Sequence, residues 1–532
     1  MHILSHVRLL ACLFLTLIGL QSCNDQFDSH YQVDESIVSN ASLMETLESQ
    51  ADLSIFVSFL KQTGYDQILS SDQSYTVWAP TNSALQQVDA SNRDLVLKIV
   101  KNHVARFVNS ASGALNEIIY MENGKKLSFQ QLGDDYFLHG KKLTTKNLAA
   151  KNGIVHVIAD LVPVIPSIWE HLMEPEMDSI RNFLYAFDIR EFVRSSSTVI
   201  DYENGMPVYD SIFYESNIIW NTRYERGIGY LGNEDSLYTM ILPTNTAWEE
   251  AYRRISPYFA SNVLENPDSL QRINTQYAIV QDLVFRGRLD NPATLGVTDS
   301  LLSTRQGVFY DPSYLFAGTR TEKVEASNGV VYRTDRLTHH AWESWQRPIQ
   351  VEAEAPFGRT LPPSTTATSY TRYLLDNPHI SNSGCLDVQA RGSQYPFASF
   401  EIPNTLAGAY DIYCVFVPMS EIYPGNRTER TRIRYDIQQV DRTSLQPDKT
   451  RWKWSSLIGA PATGIAPAEN TTDTVQITKM LLRENFTFPY ANVKEEYNTI
   501  QLKIYSRVTT AETREGYRNN MAIDYLLLEP VR

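Results

Sequence analysis

Tyr75-Thr76-Val77-Trp78-Ala79-Pro80-Thr81-Asn82-Ser83-Ala84 is an apolar, strand-like run stopped by a proline. Pro80 has no N–H to give to a ladder, and Thr81 or Asn82 can cap a helix by accepting from its orphan N–H groups. The stretch therefore reads as strand, stop, helix. It recurs as Tyr238-Thr239-Met240-Ile241-Leu242-Pro243-Thr244-Asn245-Thr246-Ala247. Each copy is followed by a second mark, Asn152-Gly153-Ile154-Val155-His156 in the first and Asn328-Gly329-Val330-Val331-Tyr332 in the second. Asn-Gly ahead of β-branched residues reads as a tight turn feeding a strand. The marks lie 73 residues apart in the first copy and 86 in the second, with helix-like stretches such as Leu95 to Val104 between them. A repeat this long means duplicated domains, not a solenoid.

The order strand, Pro-Thr-Asn, helices, Asn-Gly, strand resembles the fasciclin domain family. The first copy carries it in Ala79-Pro80-Thr81-Asn82, in His103 at the place of a family histidine, and in Asn152 to Asp160. The second keeps Pro243-Thr244-Asn245 and Asn328-Gly329-Val330-Val331, with Gln276-Tyr277 in the histidine region and Tyr332 for the second histidine. The resemblance implies two α+β domains, 38–165 and 168–343, used for adhesion or ligand binding without catalysis. Pro163-Val164-Ile165-Pro166 joins them as a stiff linker. The second domain is longer by an insert, 198–236, dense in Tyr202, Tyr209, Tyr214, Trp220, Tyr224 and Tyr230, with a hairpin expected at Asn204-Gly205. Those aromatics either form an interaction surface or staple the insert to its own domain, and the staple is the more economical reading.

Charge marks a third region. Residues 23–339 carry 26 Lys and Arg against 40 Asp and Glu, whereas 340–532 carry 20 against 21. Strand signals separated by turn clusters dominate the later part, among them Phe397 to Ile402, Tyr410 to Val417, Thr499 to Tyr505 and Ala522 to Leu528. That pattern predicts an antiparallel β-sandwich. Ile349 to Glu354, Gly408 to Tyr413 and Ile523 to Leu526 resemble the galactose-binding-like jelly roll of several carbohydrate-binding modules. The expected architecture is thus multidomain: two α+β fasciclin-like domains followed by an all-β jelly-roll sandwich, 347–532.

Within the sandwich, Glu352 and Glu354 are two apart on a strand, so both carboxylates point one way. If the first and last strands are neighbours, Asp524 joins them. Three carboxylates at one spot repel unless a hard cation bridges them, and the resemblance implies a structural Ca²⁺ there. The plainer alternative is exposed carboxylates on the rim. Trp452 and Trp454 flank Lys453, share a strand face and suit the C–H side of sugar rings, with Asn519 or Asn520 as polar partners. Core tryptophans are the alternative.

The first residues set the compartment. His2, His6 and Arg8 precede the apolar run Leu9 to Leu20, long enough for a signal-peptide h-region and too short to span a bilayer. It ends in Leu20-Gln21-Ser22-Cys23, which resembles the bacterial lipobox and implies cleavage of 1–22 and acylation, palmitate included, at Cys23. The tether 23–37 opens Asn24-Asp25-Gln26-Phe27-Asp28, which resembles the acidic signal of surface-exposed outer-membrane lipoproteins. Export leaves Cys385 and Cys414, which either form one disulfide or stay buried thiols.

The formal net charge of −14 over 532 residues argues against a sequence-independent grip on nucleic acid. Gly227 to Gly232 spells G-x-G-x-x-G but lacks the flanking strand and helix of a dinucleotide fingerprint. No G-x-S-x-G, H-E-x-x-H or C-x-x-C occurs, and His339-His340 reads as an exposed pair at a domain boundary. Two functions follow as expectations. One is a non-catalytic outer-membrane surface lipoprotein for adhesion or glycan binding. The other is an accessory subunit of a TonB-dependent outer-membrane importer of glycans or peptides, docked on the transporter and its surface binding lipoprotein.

Overall fold

The computed structural model describes residues 39–532 apart from 204–205, 211–212, 225, 262–265, 296–298, 318–321, 393, 426–428, 446–451, 457–469 and 494–499. The expected signal peptide, Cys23 and the expected tether lie outside the described residues. The chain divides into two compact units, one ending at Pro166 and one beginning at Ser167.

In the first unit the strands are β1 (Tyr75–Pro80), β2 (Val104–Arg106), β3 (Asn116–Tyr120), β4 (Lys126–Leu132), β5 (Asp135–Leu138), β6 (Lys141–Ala150) and β7 (Gly153–Ile158). They form one sheet in the order β2-β1-β7-β6-β5-β4-β3, with β1 and β7 parallel. The two sequence marks are therefore adjacent central strands, buried along nearly their whole length. Helices Leu43–Glu48, Ser54–Thr63 and Arg93–Asn102 pack with β1 and β7 around one core, and Trp78, Phe129 and Ile158 anchor a second.

The N-terminal part of the second unit, 167–343, repeats the β2-β1-β7-β6 portion of this order. Its strands are β8 (Asp188–Phe192), β9 (Thr198–Glu203), β10 (Met206–Asp210), β11 (Phe213–Asn217), β12 (Tyr238–Pro243), β13 (Val284–Arg286), β14 (Leu301–Leu302), β15 (Val308–Phe309), β16 (Glu322–Ala326) and β17 (Gly329–Thr334). The core sheet runs β13-β12-β17-β16, again with the two marked strands parallel and adjacent.

The repeated residues do the same work in both copies. Asn152 accepts from Leu43 N–H (2.8 Å) and donates to the carbonyls of Leu69 and Ser71. Asn328 accepts from Ile168 N–H (2.9 Å) and donates to those of Leu231 and Asn233. Asn82 and Asn245, the last residues of the first mark, accept from Ile55 and Ser179 N–H at 2.8 Å and so pin the start of an earlier helix. Gly153 and Gly329 have positive φ, and a Cβ there would stand 2.0 and 1.8 Å from the carbonyl oxygens of Tyr75 and Tyr238. Only glycine lets the parallel strands come this close.

The histidine positions come out differently from the sequence expectation. Trp78 N–H donates to the carbonyl of His103, and Ile241 N–H donates to that of Leu283. Leu283, not Gln276 or Tyr277, thus occupies the place of His103. The spacing misled because the copies differ in length between their marks.

The remaining strands are β18 (Ile349–Glu352), β19 (Arg359–Thr360), β20 (Ala367–Tyr373), β21 (Gly384–Ala390), β22 (Phe397–Glu401), β23 (Ala409–Phe416), β24 (Ile433–Leu445), β25 (Trp452–Ser456), β26 (Thr478–Thr487), β27 (Ile500–Ser506) and β28 (Asn520–Pro530). They form two sheets, β20-β21-β28-β23-β26 with β18 on β28, and β19-β22-β27-β24-β25. Alternating apolar residues from both, such as Leu386, Phe400, Ile412, Leu502 and Ile523, fill the core between them. The sandwich is bolted to the second copy. Leu406 and Ala491 enter that copy's core, Ala407 and Ala491 N–H donate to the carbonyls of Tyr258 and Ala260, and Tyr258 meets Trp345 edge-on. Buried Asp282 accepts from Ser344 (2.7 Å) and from Arg347 (2.6 Å), clamping the boundary segment.

His339, expected to be exposed, is buried in this junction between Phe309 and Trp345. Neither ring nitrogen has a hydrogen-bond partner, and burial, with Arg254 next, lowers its pKa to about 4. A neutral imidazole here behaves as an aromatic filler. Only His340 lies at the surface edge, stacked on Tyr314 and Trp342.

Candidate ligand-binding face of the sandwich

Strand pairing sets Thr368, Tyr370 and Arg372 of β20 on the same outer face as Cys385, Asp387 and Gln389 of β21. A small apolar cluster on this face, including Ile380, Cys385, Val417, Met419 and Ala522, seats the turn that carries Tyr423. The Asp387 carboxylate is buried under it. It accepts from Tyr423 Oη (2.7 Å), Arg372 Nε (3.2 Å) and Gln389 Nε2 (3.0 Å), so no lone charge is left in a dry place. Arg372 also donates to Tyr423 Oη (2.7 Å) and lies over the Tyr370 ring at 4.6 Å. Burial is the largest single influence and opposes its charge, but Asp387 and Tyr423 together outweigh it and the guanidinium pKa is raised. Burial, then Asp387, likewise raises Tyr423. The Tyr370 ring is 47% exposed. An exposed tyrosine beside Arg and Gln groups that buried Asp387 holds in place can stack a sugar ring and bond its hydroxyls.

The residues singled out in sequence fall elsewhere. Asn519 and Asn520 are committed: Asn519 Oδ1 accepts from Val508 N–H (2.8 Å) and Ser506, and Asn520 donates to Glu429. Trp452 and Trp454 sit on β25, paired with β24, and their side chains lie outside the described residues.

The three carboxylates are near one another, since β18 and β28 are paired and Glu352 stands opposite Tyr525. Ser381 stands between them, its Oγ donating to Glu352 (2.7 Å) and its N–H to Asp524 (3.1 Å). Glu352 and Glu354 each keep one buried oxygen without a hydrogen-bond partner. Burial first, then Glu352 and Glu354, raises Asp524 to about 7. Yet among the described residues no group of three or more His, Cys, Asp or Glu is placed to hold a metal ion. The expected Ca²⁺ trio of Glu352, Glu354 and Asp524 does not converge.

Cys385 and Cys414 are free and buried. They lie on β21 and β23 with β28 between them, two strand spacings or about 9.6 Å apart, beyond the roughly 7 Å a disulfide tolerates. Burial pushes the Cys385 thiol up to about 12 and Cys414 well above its usual range. No helix among the described residues is long and apolar enough to cross a membrane.

The aromatic insert divides. Trp220 stacks on Tyr230 (4.5 Å) and meets Trp169 edge-on, so these rings do staple the insert to its domain. Apart from Asn217, the described side chains of β8 to β11 are exposed or half-buried. The hairpin expected at Asn204-Gly205 is present as β9 paired with β10, Glu203 opposite Met206.

The sequence profile of the fasciclin domain matches residues 51–163. The transforming growth factor-beta-induced protein ig-h3 of Sus scrofa is 26% identical over 125 residues, 22% of this chain and 18% of that protein. Periostin of Homo sapiens is 21% identical over 131 residues, 23% of this chain and 16% of that protein. The chain thus spans less than a fifth of either relative. Among solved structures, the domain pair of the insect cell adhesion molecule fasciclin I covers 55% of this chain and 98% of its own, at 15% identity and TM-score 0.21. A family 11 carbohydrate-binding module from Clostridium thermocellum, in complex with a β-1,3-1,4-mixed-linked tetrasaccharide, covers 35% and 96%, at 10% identity and TM-score 0.20. Residues 51–163 thus match the fasciclin domain, the arrangement of their central strands recurs in a second copy, and an all-β sandwich follows.

Proposed function

We propose that this is a non-catalytic, lipid-anchored protein of the outer-membrane surface whose fasciclin-like pair serves adhesion and whose sandwich binds glycan. The observation that carries the glycan reading is the Arg372–Asp387–Gln389–Tyr423 network beside exposed Tyr370. Its groups are held in place before a ligand arrives, which lowers the entropic cost of binding. Cys23 supplies the anchor in this reading, and Cys23→Ser releases the protein from membranes. Protease treatment of whole cells that leaves the chain intact counts against surface exposure.

The test is a glycan array with the purified full chain, followed by Tyr370→Ala and Arg372→Ala. Each is expected to weaken binding about ten-fold, the scale of one lost anchoring contact. Retention of no glycan, or binding indifferent to both substitutions, removes the reading. The accessory-subunit reading is favoured by one observation, the exposed β-ribbon of the second copy, and co-purification with a transporter in native membranes tests it.

A further inference from the structure

Asp188 to Asn217 forms a two-stranded antiparallel ribbon, β8 paired with β11 and β9 with β10. Among the described residues no further strand joins either ladder. Its base is tied down, because buried Asn217 donates to the Leu184 carbonyl (2.9 Å) and to Asp188 (2.7 Å). Past that point every residue of described burial is exposed or half-buried. All five residues of β8 are exposed. Phe192 touches Tyr209 and Phe213 edge-on, and Arg190 lies over Phe213 at 4.0 Å. Even so, Phe192 is 42% exposed, Tyr214 57% and Met206 69%.

A bare two-stranded ribbon is marginally stable in water, and soluble proteins ordinarily cover or blunt such edges. The rest of the second copy has its own core and does not need this element. The segment is also acidic: it carries Asp188, Glu191, Asp201, Glu203, Asp210 and Glu215 but only two basic residues, Arg190 and Arg194.

We infer that the ribbon is a docking arm for a partner protein whose facing surface is basic around an apolar seat. Charge selects the occupant. A second copy would bring another acidic ribbon, and an anionic lipid surface repels this one. A protein supplies positive side chains, an apolar seat for Phe192 and Tyr214, and backbone groups to extend an open strand edge.

The arm can be probed by one introduced cysteine, because Cys385 and Cys414 are buried with raised thiol pKa values. In intact cells making the full chain, Tyr214→Cys and the control Ile118→Cys, exposed in the first unit, carry a thiol-linked benzophenone. The arm position is expected to give one discrete protein adduct that the control does not. Adding Glu191→Lys with Glu203→Lys is expected to cut its yield about five-fold, the factor of one ordinary rim ion pair. Glycan binding by the charge-reversed chain stays unchanged, which separates the arm from the sandwich face. The inference is overturned by no adduct, by equal labelling at both positions, by an adduct of twice the chain mass, by a lipid or glycan adduct, or by indifference to charge reversal.

Discussion

The two fasciclin-like copies share a backbone solution and differ in what fills it. In the first, His156 donates from Nε2 to the Asn109 carbonyl (2.9 Å), and His103 accepts from Val162 N–H (3.2 Å) while bonding the Ile99 carbonyl. In the second, Tyr332 Oη donates to the Leu289 carbonyl (2.8 Å), and Leu283 fills the place of His103. A donor to that loop carbonyl is what the His156 position needs, and imidazole or phenol meets it. At the His103 position apolar volume alone suffices in the second copy. What both copies keep is glycine and asparagine at the strand mark, where the backbone allows no substitute.

The largest effect is expected at those marks. Gly153→Ala and Gly329→Ala place a Cβ about where a carbonyl oxygen stands, so each costs more than about 3 kcal/mol and shows as a loss of cooperative melting in its own unit. If only one copy suffers, the two strand pairs are not equivalent. Next come Asn152→Ala and Asn328→Ala, each of which strips three hydrogen bonds from buried backbone groups. Denaturant unfolding followed by local amide exchange is expected to show about 2–4 kcal/mol in either copy.

The histidines predict an asymmetry in acid. Burial lowers His103 and His156 to about 4, each against a hydrogen bond to a backbone carbonyl. Both folded values lie below the unfolded value near 6.5, so the folded state binds fewer protons between them. The stability they contribute is full above pH 6.5 and falls as pH drops toward 4, by ~1.4 kcal/mol per histidine per pH unit. The second copy holds one such group, His339, against two in the first, so amide exchange across that window should open the first copy's core faster than the β12–β17 pair. His103→Leu with His156→Tyr, the residues the second copy uses, should remove the first copy's acid-dependent opening and leave the second copy's unchanged. An unchanged slope in that double variant breaks the comparison.

The smallest effect is at the caps. Thr244 accepts from Ala247 N–H and caps its helix, whereas Thr81 makes no such bond and instead donates to the Ala159 carbonyl. Thr244→Ala is expected to cost about 1 kcal/mol through the lost cap. Thr81→Ala should act on the β7 side of the sheet, seen as faster exchange near Ala159.

Pro80, Pro243, Asn152 and Asn328 were legible as strand stops and turn residues because their chemistry is local. Proline lacks a donor and Asn-Gly favours a tight turn wherever they stand. The sandwich was legible for the same reason, through alternating strands broken by turns. The candidate binding face was not. Tyr370, Arg372, Asp387, Gln389 and Tyr423 lie on two strands and a turn, with no shared spacing, and nothing along the chain says that Asp387 is buried beneath Tyr423. Trp452 and Trp454 share a strand face by their spacing, but spacing does not say what that face meets. The carboxylates of Glu352, Glu354 and Asp524 were correctly read as neighbours, yet Ser381, from a distant loop, stands between them.

Local conformation and the internal duplication therefore follow from residue type and order, since backbone donors, β-branching and turn chemistry act over a few residues. Which groups meet is set by strand order. β28 between β21 and β23 keeps Cys385 from Cys414, the junction buries His339, and no layer among the described residues covers β8 to β11. Each of these depends on contacts between residues far apart in the chain, and those distances exist only once the sheets have assembled.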